Sequence, residues 1–366
     1  MRVLYDHTIF TNQKYGGISR YYYELLKQFN KIEEIDYKVS LLLSNNHYIS
    51  DKKDINHLKF FTNNKFKGKD RFIIETNNLY RKILLKNKHF DIFHPTYFDI
   101  DFLNYIGDKP FVLTVYDMIH EKFKDKFSSD DKTSENKKIL CNKANKIIAI
   151  SENTKKDLIS FFAIKESKIE VVYLANSLVN YSSNLNIDLP KKYILFVGSR
   201  GGYKNFNQFI KSMRYLLEKD KDLSVVCVGG GTFIEEELLL FDDLNIKLQI
   251  SHFILEDDKL SFFYNNAELF VFPSLYEGFG LPILESFACQ CPLVCSNTSS
   301  LSEIAKDAAE YFNPDSIDSI QKSIKYVLDN KERREELILN GKNQLSKFSW
   351  EKTAKETLGI YKGIIE

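Results

Sequence analysis

Long apolar runs are missing from this sequence. No stretch approaches the roughly 20 residues that a membrane-crossing helix needs, so an integral membrane helix is excluded. An excess of charge of either sign is missing too. Lys and Arg number 51 against 50 Asp and Glu, a formal net of +1, and that balance argues against a dedicated nucleic-acid binder. Cysteines are few, five among 366 residues at irregular spacing, which points to reduced thiols in the cytoplasm rather than a disulfide framework. No histidine stands at zinc-finger spacing from Cys289, Cys291 and Cys295, so these are expected to be small buried hydrophobes. The opening Met-Arg-Val-Leu-Tyr enters a strand at once and lacks a secretory-leader layout. There is no internal repeat beyond a doubled strand–helix pattern, no low-complexity tail, and one tryptophan, Trp350.

What is present suffices for two domains. Apolar residues make up 43% of the 366 residues, enough for two cores of ordinary size. In the first half, short apolar runs at 3–5, 37–43, 92–93, 111–115 and 147–150 read as strands, and 22–29, 71–86 and 151–162 read as helices. After a Ser/Asn-rich stretch the pattern resumes. Strands are expected at 193–197, 224–228, 248–250, 269–272 and 293–295, with helices near 205–219, 256–265, 282–290 and 316–329. Alternation of this kind implies right-handed βαβ units and parallel sheets. The expected class is α/β, with a domain over 1–175, a linker over 176–190, a second domain over 191–345 and a terminal segment over 346–366. Two doubly wound domains present their ligand-binding strand ends to a common cleft. The terminal stretch 348–361 reads as an amphipathic helix.

The densest chemical signal is 273–285, Pro-Ser-Leu-Tyr-Glu-Gly-Phe-Gly-Leu-Pro-Ile-Leu-Glu, directly after the apolar run 269–272. It reads as a buried strand, a glycine-punctuated turn and a new helix, with Pro282 at the first helical position, where a missing N–H costs nothing. Gly278 and Gly280 let the backbone approach a ligand. Glu277 and Glu285 bracket the turn. A helix N-terminus is an anion site, and a carboxylate on each side can accept hydroxyls from whatever carries the anion. A phosphorylated sugar or nucleotide is the natural ligand.

A second glycine-rich turn follows the strand at 193–197, in Gly-Ser-Arg-Gly-Gly-Tyr-Lys-Asn from Gly198 to Asn205. Arg200 would supply a forked cation and Lys204 a point charge for a pyrophosphate. In the first half, Gly16 and Gly17 separate strand one from a helix. That loop lacks G-x-G-x-x-G and the acidic residue a dinucleotide ribose requires. The strand at 111–115 ends in Tyr116-Asp-Met-Ile-His120, and the strand at 92–93 in His94-Pro-Thr-Tyr97. These place polar groups at strand ends, where an Asp or His serves as often to cap a helix as to do chemistry.

Two glutamates separated by seven residues within PSLYEGFGLPILE resemble the signature of the retaining glycosyltransferases of family 4, and the similarity spans nearly the whole chain. The resemblance implies the GT-B architecture: two Rossmann-like domains facing a central cleft, with a C-terminal helix crossing back to the first domain. It implies a nucleotide diphosphate sugar as donor, with Glu277 on the sugar and Glu285 on the ribose. Arg200 and Lys204 would lie on the diphosphate, and Gly17 would cover the phosphates from the other domain. Gly198, Phe279, Gly280 and Leu281 would complete the donor site. Many relatives carry His-Asp where this chain has Tyr116-Asp117, a departure that shifts the catalytic assignment in the first domain to Asp117. Acceptor contacts are expected from His94, Tyr97, Tyr116 and His120. The family needs no metal, so Asp99-Ile-Asp101, a nominal D-x-D pair, reads as loop polarity.

The text at 5–10 and 114–120 is similar to bacterial mannosyltransferases that build surface polysaccharides. This implies GDP-mannose as donor and a growing, lipid-linked saccharide of O-antigen or capsule type as acceptor. A UDP-sugar transferase, a nucleotide-sugar epimerase of the same architecture and a non-catalytic nucleotide-sugar binder are the alternatives. The stretch 51–90 holds eleven Lys or Arg against four Asp or Glu, a local net of +7, interleaved with Phe60, Phe61, Phe66, Phe72 and Leu84. It is either a solvated helical face over a core or a docking surface for anionic lipid head groups. The second option implies a peripheral position on the inner face of the cytoplasmic membrane.

Overall fold

Every strand pairing among the described residues is parallel, as strands joined through helices require. The computed structural model describes residues 1–49, 55–60, 67–178, 187–254 and 259–366. They fall into two units, Met1–Leu174 with Trp350–Glu366, and Ala175–Ser349.

The first unit contains β1 (Arg2–Tyr5), β2 (Asp36–Val39), β3 (Ile92–His94), β4 (Val112–Val115), β5 (Lys146–Ala149) and β6 (Ile169–Val171). Their order is β2-β1-β3 and β4-β5-β6, and a bridge between Phe93 and Phe111 brings β3 alongside β4. The apolar run at 37–43, expected to be strand throughout, leaves the sheet after Val39. The side-chain carbonyl of Asn77 takes the N–H groups of Leu42 and Leu43 at 2.9 and 3.0 Å, and Leu43 keeps only an isolated bridge to Leu58. The terminal helix Trp350–Ile365 belongs to this unit. Its Tyr361 is fully buried, with its hydroxyl 2.7 Å from that of Tyr5 and 2.5 Å from Nδ1 of His94.

The second unit contains β7 (Lys192–Val197), β8 (Leu223–Val228), β9 (Ile250–Phe253), β10 (Leu269–Phe272), β11 (Leu293–Ser296) and β12 (Ala309–Phe312). Their order is β12-β11-β10-β7-β8-β9. The central strands β10 and β11 are buried at every residue, as sheets covered on both faces demand. Edge strands were harder to read. β6 and β12 carry polar residues and were not expected, and β9 starts at Ile250, two residues later than the strand expected there, because Leu248 stands fully exposed in a short 3₁₀ turn. Of the expected linker, 179–186 lie outside the described residues, as do 255–258 ahead of the helix Leu260–Asn266.

The strand order reverses between β7 and β10. β8 and β9 extend the sheet on one side of β7, and β10, β11 and β12 on the other. In an open parallel sheet, ligands bind outside the carboxyl ends of the strands at such a switch point. The loops leaving β7 and β10 are the two glycine-rich segments singled out in the sequence.

Candidate functional site

Backbone ties the two loops of the second unit together, with the Leu275 N–H donating to the Tyr203 carbonyl at 2.8 Å. From the β7 loop, Lys204 ends a short 3₁₀ turn and precedes the helix Phe206–Lys219. Its ammonium donates to Oε1 of Glu277 at 2.7 Å and lies over the rings of Tyr203 and Phe272, at 5.1 and 5.7 Å. The lysine side chain is 17% exposed and the glutamate 12%. Two candidates 73 residues apart thus form one partly buried ion pair at the switch point.

Glu277 is held from behind. Its N–H donates to the Ser299 hydroxyl at 3.0 Å, and the Ser300 hydroxyl donates to its carbonyl at 2.8 Å. Ser299 has φ +53°, a conformation that non-glycine residues adopt at a cost and that concentrates at functional sites. Neither serine was picked out in the sequence, where Ser-Ser reads only as a helix entrance. Gly280 caps the helix Leu281–Ala288 at φ +94°, and a Cβ there would meet Leu301 at 3.0 Å and Ile283 at 3.1 Å. Both the conformation and the space require glycine. Leu281 is the first helical residue, so Pro282 stands second rather than first, still within the turn where its missing N–H is harmless. Phe279 is buried, its ring 6.0 Å from Phe348. Glu285 lies inside the helix and is 3% exposed, accepting from the Tyr264 hydroxyl at 3.3 Å. It is therefore not on a solvated helix face.

Arg200 calls for a correction. The expected free fork is buried, and its Nε donates to Glu237 at 2.8 Å. Its other nitrogens donate to the carbonyls of Gly229, Gly231 and Thr232 at 2.9, 3.2 and 2.8 Å. Phe233 lies under the guanidinium at 4.8 Å. In this arrangement Arg200 clamps the turn after β8, with its nitrogens engaged by Glu237 and three carbonyls. That turn, Gly229-Gly230-Gly231, was missed in the sequence although its triple glycine was visible. Gly230 has φ +73°, and a Cβ would fall 2.9 Å from the Gly198 carbonyl oxygen, so the two loops pack at glycine distance. A cavity of about 420 Å³ opens here, and Arg200 lines it together with Ser199, Gly201, Asn205, Gly230 and Glu236.

In the first unit the candidates separate into two groups. Gly17 is exposed and opens the helix Gly17–Phe29. His94 is fully buried, with Nδ1 on Tyr361 and Nε2 2.9 Å from the Thr114 hydroxyl. Burial lowers its pKa to about 3. Tyr116 is also buried, its hydroxyl 2.8 Å from that of Tyr22 and 3.0 Å from the Thr96 carbonyl. Both were expected to touch an acceptor. The structure corrects this, because their polar atoms are engaged by Tyr361, Thr114, Tyr22 and the Thr96 carbonyl inside the core.

Tyr97, Asp117 and His120 remain near the surface. Asp117 Oδ1 accepts the Ile119 N–H at 3.0 Å, where the short helix Ile119–Lys122 begins. Buried Lys137 donates to the Asp117 carbonyl at 2.9 Å and to Glu121 at 2.8 Å. His120 stacks on Phe127 at 4.0 Å, with Nε2 3.4 Å from Asp131. Burial, then the charges of Asp117 and Asp131, raise the Tyr97 hydroxyl pKa to about 12, which puts Tyr97 in the same acidic neighbourhood. Asp99 and Asp101 both pair with Arg81, at 2.6 and 3.1 Å.

Two parallel doubly wound units, with a lysine–glutamate pair at the switch point of the second, define the fold of the GT-B glycosyltransferases. Residues 15–175 match the family model described as Glycosyltransferase Family 4, and residues 180–344 match Glycosyl transferases group 1. The chain belongs to this glycosyltransferase family. Among curated proteins it is 29% identical over 228 residues to the O-antigen chain mannosyltransferase B of Escherichia coli, covering 59% of this chain and 60% of the relative. It is also 29% identical over 232 residues to a Campylobacter jejuni protein, N-acetylgalactosamine-N,N'-diacetylbacillosaminyl-diphospho-undecaprenol 4-alpha-N-acetylgalactosaminyltransferase, covering 60% of each. The matches thus span about 60% of the length of these relatives. Among solved structures, Anabaena HepE in complex with UDP and glucose superimposes with a TM-score of 0.74 at 14% identity, over 98% of this chain and 99% of that one.

Proposed function

We propose that this protein is a retaining hexosyltransferase that moves mannose from GDP-mannose onto a growing, lipid-linked bacterial surface polysaccharide of O-antigen or capsule type. The observation that carries it is the Lys204–Glu277 pair at the switch point, one group suited to a leaving diphosphate and the other to sugar hydroxyls. The likeness to an O-antigen mannosyltransferase favours mannose. The relative named for a diphospho-undecaprenol substrate favours a lipid-linked acceptor. Lys204, helped by backbone N–H groups of the glycine loop, stabilises the charge that develops on the diphosphate. Glu277 orients the sugar and Glu285 the ribose, with Gly198, Phe279, Gly280 and Leu281 shaping the donor pocket. In the first unit, Gly17 is the candidate for phosphate contact and Asp117, Tyr97 and His120 are the candidates for acceptor contact. The acceptor hydroxyl attacks the anomeric carbon from the leaving-group face. The bond to the diphosphate breaks, and the hydroxyl proton passes to a phosphate oxygen.

A transfer assay over GDP-, UDP-, ADP- and TDP-sugars tests this. Transfer from GDP-mannose that survives excess EDTA is the expected result. Transfer only from a UDP-sugar would replace the donor, and conversion of donor without acceptor would make the protein an epimerase.

Attachment to an anionic membrane from the cytoplasmic side is part of the proposal. No helix among the described residues is long and apolar enough to cross a membrane. The helix Lys69–Asn87 buries Ile73, Asn77, Arg81 and Leu85 on one side. At helical spacing on the opposite side it exposes Phe72, Leu79 and Ile83 at 52, 62 and 48%, flanked by Lys69, Lys82 and Lys86. Arg81 drops out of the basic face because it pairs inward with Asp6, Asp99 and Asp101. Of the basic stretch, 51–54 and 61–66, including Phe61 and Phe66, lie outside the described residues. Pelleting with anionic but not neutral vesicles, weakened as salt shortens the Debye length from ~10 Å at 0.1 M to ~3 Å at 1 M, is the expected outcome. Equal pelleting with both would reduce this helix to an ordinary solvated face.

A further inference from the structure

The Lys204–Glu277 ion pair constrains both of its charges. Both side chains are mostly withdrawn from water, at 17 and 12% exposure, and the 2.7 Å contact joins their charges directly. Glu277 cannot readily retreat, since its backbone is fastened on both sides by Ser299 and Ser300. A diphosphate that recruits Lys204 must draw it off Glu277. The carboxylate then loses its cation in a half-dry site, and an unpaired, partly buried charge is costly.

We infer that Glu277 acts as the internal counter-ion of Lys204 and thereby makes the site select the intact nucleotide sugar over the nucleoside diphosphate product. This rests on the proposed donor site. An intact donor brings an anion for Lys204 and hydroxyls for Glu277, so both partners are satisfied when the pair opens. A nucleoside diphosphate brings the anion alone and leaves Glu277 without a donor. Once the sugar has passed to the acceptor, Glu277 loses its hydroxyls and competes again for Lys204, which favours expulsion of the product. The same competition guards the pocket against free inorganic phosphate.

Calorimetry with GDP and GDP-mannose on four proteins tests this: wild type, Glu277→Gln, Lys204→Met and the double variant. Gln keeps the size of the side chain and removes the charge. Glu277→Gln is expected to bind GDP roughly five-fold more tightly, the scale of a partly buried ion pair, while GDP-mannose binds no better than in wild type. The preference for donor over product therefore shrinks. Lys204→Met should weaken GDP binding, and adding Glu277→Gln to it should bring no gain, because the glutamate acts through the lysine. A Glu277→Gln variant that binds GDP no better than wild type would overturn the inference. So would a gain of the same size in the Lys204→Met background, since that marks a general field effect. GDP affinity unchanged by Lys204→Met would instead refute the diphosphate site itself, and the inference with it.

Discussion

Replacing Lys204 with alanine is expected to lower the rate of transfer by at least about a hundred-fold, the loss typical when one preorganised donor is removed from a developing negative charge. The fold should be little affected. Lys204 ends a short 3₁₀ turn, and losing its partly buried pair with Glu277 should cost about 1 kcal/mol, a small part of the stability of a chain this size. Arginine should not rescue it, because a planar fork does not occupy the place of a compact ammonium enclosed by Tyr203, Phe272 and Glu277. Steady-state transfer rates alongside thermal unfolding curves decide the matter. An alanine variant with near wild-type turnover would remove Lys204 from the chemistry.

Arg81→Met is expected to produce the largest loss of stability, about 3–5 kcal/mol, as follows when one partner of a buried charge cluster is deleted. The Arg81 side chain is 1% exposed and faces Asp6 at 3.6 Å, Asp99 at 2.6 Å and Asp101 at 3.1 Å. Asp6 is itself fully buried, and accepts from the Thr8 N–H and hydroxyl and from the Thr96 N–H at 3.2, 2.9 and 2.9 Å. Those bonds hold the loops after β1 and β3 together. Without the arginine, Asp6 must stay charged without its cation or take up a proton, and either weakens the carboxyl end of the first sheet. Urea denaturation measures the change, and a loss below about 1 kcal/mol would mean that the threonine contacts alone carry Asp6.

The same cluster shows why Asp99 and Asp101 could be set aside as a metal motif but not explained. Their spacing is visible in the sequence, whereas their partner comes from the helix Lys69–Asn87. His94 and Tyr116 were misjudged for a related reason. A polar residue at the end of a strand looks the same whether it faces a ligand or a covering helix. Here Tyr361 of the terminal helix and Tyr22 of the helix Gly17–Phe29 take up their polar atoms. The partners of Arg200 were not legible because Glu237 and the carbonyls of Gly229, Gly231 and Thr232 follow a different strand.

By itself, the sequence determined what local physics can carry. The alternation of short apolar runs with helical stretches set an α/β class with parallel sheets, since apolar periodicity and chain handedness leave few other solutions. Glycine placement marked the turns after β7 and β10, because Gly280 at φ +94° admits no other residue without strain. Tertiary structure alone decided which polar side chains meet. The strand order sets β7 beside β10, and so brings Lys204 to Glu277 across 73 residues. The same packing withdraws His94, Tyr116 and Arg200 from solvent. Burial and adjacency depend on the sum of long-range contacts, and no window of sequence contains that sum.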